Sequence, residues 1–227
     1  NAAISTKKSV AIFNMEMNAE QLAMRMIASA GGIELNKLRT GRLEHNDWRK
    51  VNEAMSELGD THLYIEDSSG MTVSEIRAKC RRLATKEPGL AMVVIDYLQL
   101  IQGGAKYEGN RQQEVSEISR SLKTMAMELK IPVIALAQLS RSVELRENKR
   151  PIMSDLRESG SIEQDADIVA FLYRDDYYNK SAAEQSNVSV TELILGKHRN
   201  GSTGTIELLF ERDMSNFRNY IKKNEEK

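Results

Sequence analysis

The sequence has 227 residues, 41% apolar and 29% charged, which is the balance of a folded chain with a sizeable core and excludes a disordered or collagen-like one. Thirty-two Lys and Arg against 33 Asp and Glu leave a net charge of −1, so any polyanion site has to be a local patch and not a bulk field. One cysteine, Cys80, excludes an internal disulfide framework and a multi-cysteine zinc site; His45, His62 and His198 lack metal-ligand spacing.

In chain order, the first residues, Asn1 to Lys8, carry no apolar signal-peptide stretch, and runs such as 90–95 are too short to cross a bilayer. A cytoplasmic protein without membrane partners is expected. Short, nearly all-apolar runs at 9–14, 62–66, 91–96, 132–138 and 168–173 read as strands of a parallel sheet covered on both faces. Helical patterns separate them. Asn18 with Gln21 opens one helix carrying Leu22, Met26 and Ile27, and Thr72 with Glu75 opens another carrying Ile76, Cys80 and Leu83. The longest is expected over 113–130, with Val115, Ile118, Leu122, Met125 and Leu129 on one stripe. Trp48 reads as a packing residue. Residues 102–112 and 140–164 lack a regular period and are expected as long functional loops. The tail pairs 191–195 with 205–210 through Asn200-Gly201 and Gly204, and 217–221 is a candidate third strand. The whole, residues 1–227, reads as one α/β domain with a mostly parallel central sheet and a C-terminal antiparallel hairpin.

Chemistry concentrates at strand ends. Asp96 closes an apolar strand, at the edge where open α/β sheets bind ligands; it is either a Mg²⁺-orienting carboxylate or an ordinary turn aspartate. Glu16 follows the first strand and could polarise a water for attack on a γ-phosphate, or serve as a first-turn acid favoured by the helix dipole. Gln138 could sense that phosphate, or be a hydrogen-bonded loop residue. Lys197 and Arg199 share a strand face by alternation; they could reach a phosphate on a neighbouring subunit, or form a solvated face. The loop from Arg141 to Ser161 could track a sugar-phosphate backbone without reading bases. The cluster Arg77, Lys79, Arg81 and Arg82 is given no role, a solvated helix face being its plainer reading. A Gly-x-x-x-x-Gly-Lys-[Ser/Thr] phosphate loop does not occur, and the chain reads as truncated ahead of its first strand.

Taken together and in order, FNMEM, VVIDYLQLI, GNRQQEVSEISRSLK, IPVIALAQLSRSVE, KRPIMSDLRESGSIEQDADIVAFLYRDDYYN and GKHRNGSTGTIEL resemble the C-terminal, RecA-like motor domain of DnaB-type bacterial or phage replicative helicases. Gly109 stands where the family usually has Glu. The resemblance implies an ATP-dependent DNA helicase, with ATP and Mg²⁺ as cofactors. Glu16 would be the catalytic glutamate and Asp96 the Walker B aspartate, holding Mg²⁺ through water. Gln138 would be the sensor, and Lys197 and Arg199 the pair that completes the neighbouring subunit's ATP site. Arg157, Glu158 and Gly160 would contact single-stranded DNA inside a homohexameric ring moving 5′→3′. A helicase loader and primase are expected partners of the intact protein, and this chain alone, without the phosphate loop, is expected to be inactive. Two other readings remain at this point: a RecA- or RadA-like recombination ATPase, and a non-catalytic oligomerisation or DNA-binding module.

Overall fold

The computed structural model describes residues 1–103, 110–156, 160–178 and 186–221. Its contacts divide the chain into two compact units. The first comprises Asn1–Ala23, Glu53–Lys149 and Met153–Ala166, and the second Met24–Asn52, Arg150–Ile152 and Asp167–Lys227. The helices are α1 (Ala2–Thr6), α2 (Ala19–Gly31), α3 (Leu35–Thr40), α4 (His45–Gly59), α5 (Val73–Ala84), α6 (Arg111–Leu129), α7 (Gly160–Asp165) and α8 (Asp175–Tyr178). The strands are β1 (Ser9–Asn14), β2 (Leu63–Glu66), β3 (Leu90–Asp96), β4 (Val133–Ala135), β5 (Ile168–Tyr173), β6 (Val188–His198), β7 (Gly204–Glu211) and β8 (Asn216–Asn219).

In the first unit the strands form a parallel sheet in the order β2-β1-β3-β4. Parallel neighbours need crossover connections, and helices supply them. Phe13, Val93, Ile95, Ile76, Ile118 and Met125 are among its fully buried side chains, packed between the sheet and α5 and α6. Thr72 begins α5 with a complete capping box: its hydroxyl accepts from the Glu75 N–H, and the Glu75 carboxylate accepts from the Thr72 N–H at 2.8 Å. The α5 cations are not simply solvated: Arg77 and Arg81 both pair with Glu128 of α6, and Lys79 pairs with Glu66. β4 is shorter than the expected run 132–138, yet its pairing continues, because the Leu136 N–H donates to the Ile95 carbonyl at 2.9 Å. α6 starts two residues before its expected position, since the Asn110 side chain caps it through the Gln113 N–H. The expected loop 140–164 contains 3-10 turns at Arg141–Leu145 and Met153–Asp155 as well as α7.

In the second unit the order is β5-β6-β7-β8 and every pairing is antiparallel. This corrects the expectation that 168–173 joins the parallel sheet. The strand is apolar on both faces, but only Val169, Phe171 and Tyr173 are buried, whereas Ile168 and Leu172 are exposed. β6 is longer than expected, and a bulge leaves Gly196 between the pairs Ala170–Leu195 and Val169–Lys197. Trp48 is 53% exposed, against its expected packing role. The neighbouring Asp47 takes the inner position instead, accepting from the Glu44 N–H at 3.1 Å and pairing with Lys37 at 3.2 Å.

Candidate active site

In a parallel sheet every strand delivers its C-terminal end to one edge. β1 and β3 are paired in register from Val10–Met92 to Asn14–Asp96, so the last residues of both strands lie side by side. The chain leaves β1 through a turn that Asn14 organises. Its buried side-chain oxygen accepts from the N–H groups of Glu16 (3.2 Å) and Met17 (3.1 Å), while the Met15 N–H donates to the Asp96 carbonyl at 2.9 Å. This turn leaves Glu16 exposed on the same edge as the partly buried Asp96.

The two carboxylates feel one another. Burial, and after it the charge of Glu16, hold the Asp96 carboxyl above the usual range. A partly buried carboxylate beside a second negative charge favours either a proton or a cation. Mg²⁺ takes one or two carboxylates and keeps several waters, so this pair suits that ion. Among the described residues no group of three or more His, Cys, Asp or Glu could hold a metal.

Gln138 follows the β4 edge, and its backbone is held by Gln99 of the 3-10 turn Leu98–Leu100. The Gln99 amide donates to the Gln138 carbonyl at 3.1 Å and its oxygen accepts from the Gln138 N–H at 3.2 Å. The first unit thus brings Glu16, Asp96 and Gln138 to strand ends of one sheet. Asn14 and Gln99 were not anticipated as members of this edge. Asn14 reads as strand, and Gln99 is one polar residue among several in VVIDYLQLI; the β1–β3 register and a contact 39 residues long assign their work.

Lys197 and Arg199 belong to the second unit. Lys197 stands opposite Val169, and the Arg199 N–H prolongs the ladder by donating to the Asp167 carbonyl at 2.8 Å. The Arg199 guanidinium pairs with the Asp167 carboxylate at 3.1 Å, with side chains 49% and 51% exposed. At the following turn a Cβ on Gly201 would meet the His198 ring, so a larger residue there would have to displace that side chain. Gly160 opens α7, while Arg157 and Glu158 lie outside the described residues.

Residues 1–219 match the family described as the DnaB-like helicase C terminal domain. This chain belongs to that family. Among curated relatives it is 59% identical over 219 residues to the replicative DNA helicase DnaC of Bacillus subtilis, and 58% identical to the replicative DNA helicase DnaB of Geobacillus stearothermophilus. Either alignment covers 96% of this chain and 47% of the relative, so the chain spans about half the length of the curated proteins it matches. A solved DnaB-like replicative helicase, described together with its interactions with primase, superposes with a TM-score of 0.88 at 44% identity. That match covers 96% of this chain and 52% of the solved one. The DnaB-like fold accounts for the architecture: a mostly parallel central sheet with helices, followed by an antiparallel sheet. No helix among the described residues is long and apolar enough to cross a membrane.

Proposed function

We propose that the intact protein is a cytoplasmic replicative DNA helicase, and that residues 1–227 are its single RecA-like ATPase domain. In this reading ATP hydrolysis at the subunit interfaces of a homohexameric ring drives 5′→3′ movement on single-stranded DNA. The observation that carries it is the electrostatic coupling of Glu16 and Asp96 at the carboxyl edge of the parallel sheet. Family membership supports the choice of nucleotide and nucleic-acid chemistry over other uses of that edge.

Glu16, exposed and near enough to Asp96 to act on its charge, would accept the proton of the water that attacks the γ-phosphate. Asp96 would hold Mg²⁺ through water. When bound, that ion neutralises charge developing on the phosphate oxygens. Gln138, exposed beyond the end of β4, would be the phosphate sensor. Lys197 and Arg199 are supplied to the neighbouring subunit's nucleotide, where charge-assisted hydrogen bonds stabilise the transferring phosphoryl group. Arg199 is ion-paired with a half-exposed Asp167, an arrangement weak enough to be exchanged for a phosphate. Arg157, Glu158 and Gly160 form the grip on the strand; one guanidinium with backbone donors binds phosphates and leaves bases unread. Primase and a helicase loader are the partners proposed for the intact protein. No phosphate-cradling Gly-Lys-[Ser/Thr] loop lies within the 227 residues, so the activity belongs to the intact protein.

Glu16→Gln tests the reading in the intact protein. ATP affinity should stay near that of wild type, while single-strand-stimulated hydrolysis should fall by about 10²–10⁴-fold, the usual contribution of a general base. Loss of nucleotide binding in this variant would reassign Glu16 to a structural role.

A further inference from the structure

Both backbone polar groups of Gln138 are taken by one side chain. Past Ala135 the pairing of β3 with β4 continues for one residue, with Leu136 donating to Ile95 and accepting from Leu98 at 2.8 Å. At Gln138 the Gln99 carboxamide replaces the ladder. Its NH₂ and C=O meet the Gln138 C=O and N–H as a neighbouring strand's peptide would. Gln99 sits three residues after Asp96 on the same turn, and its own carbonyl accepts from the Arg111 guanidinium. Arg111 also pairs with Glu114, and Glu114 accepts from the Gly103 N–H at 2.7 Å. One connected set of hydrogen bonds therefore runs from the first turn of α6, through the turn that follows Asp96, to the backbone of Gln138.

We propose that Gln99 is the positioning residue that holds Gln138 in register with the Glu16–Asp96 edge and couples its movement to the start of α6. The clasp lies at an exposed site, where two neutral hydrogen bonds contribute little to folding, and their use is geometric. With the carboxamide in place, a displacement of Gln138 has to move the turn after Asp96; without it, Gln138 can shift independently of the acidic pair. The inference rests on Gln138 being the phosphate sensor, so its test has to separate the two.

The experiment measures ATP hydrolysis by the intact protein, with and without single-stranded DNA, in wild type, Gln99→Met, Gln99→Glu and Gln138→Ala. Methionine keeps the length of the side chain and removes both bonds. Glutamate keeps the acceptor but sets a carboxylate against the Gln138 carbonyl. Gln99→Met should lower the ratio of DNA-stimulated to basal turnover about tenfold, the scale expected for losing two such bonds, with the KM for ATP and the thermal midpoint held. Gln99→Glu should fall at least as far. A Gln99→Met protein with the wild-type ratio, or one whose KM and thermal midpoint shift along with its rate, overturns the inference. If Gln138→Ala collapses the ratio while Gln99→Met does not, the clasp is rejected and the sensor reading stands. If neither variant changes the ratio, both are rejected.

Discussion

The role proposed for Asp96 would come at a cost to the fold. Burial and the neighbouring Glu16 disfavour its charged form, so its carboxyl in the folded state binds a proton more readily than in the unfolded chain. The sign follows from proton linkage. Stability falls as pH rises from the unfolded value of about 4 through the raised folded value. Asp96→Asn removes the charge at constant shape. It should therefore raise the thermal midpoint at pH 7 while abolishing turnover, and the gain should vanish below about pH 4, where the wild-type carboxyl is neutral in both states. A thermal melt series across pH checks this. Asp96 as a strand-ending acid is plain from the sequence, because the six apolar residues Leu90 to Ile95 precede it. Its coupling to Glu16 is not, because the two stand 80 positions apart and only the β1–β3 pairing brings them together.

Among the elements, those governed by their own residues sit where local patterning puts them. The Thr72–Glu75 pair starts α5, and Ile76, Cys80 and Leu83, spaced by helical turns, are its buried side. Thr72→Ala should cost about 1 kcal/mol, the usual value of an N-cap hydroxyl, measured by chemical denaturation. Elements whose nature depends on distant partners are less legible. β5 has the apolar content of a buried parallel strand, and its sequence alone does not distinguish a parallel neighbour from the antiparallel β6 that it pairs with. Arg150 carries a similar lesson. It lies within a loop-like stretch, yet it forms a two-bond ion pair with Glu192 of β6 and stacks over Tyr173, its charge holding the Glu192 carboxyl below the usual range.

For the whole molecule, the proposed site is shared between subunits. Glu16, Asp96 and Gln138 would serve one nucleotide, while Lys197 and Arg199 would serve the next subunit's. Arg199→Ala mixed with wild-type subunits should then depress hydrolysis far more steeply than the mutant fraction, because each defective subunit disables a neighbour and an equal mixture leaves few rings wholly wild type. A strictly proportional loss in the mixing curve would place Arg199 in its own subunit's chemistry.

The sequence by itself determined what short-range physics controls: apolar runs long enough for strands, amphipathic stripes for α5 and α6, caps at their starts, and an acid closing a buried strand. Its ordered motifs also pointed to the family. Tertiary structure alone decided the antiparallel assignment of β5, the neighbouring carboxylates of Glu16 and Asp96, and the Gln99 clasp on Gln138. Each of these joins segments far apart in the chain, and the energy that selects them comes from pairing and burial that no local window contains.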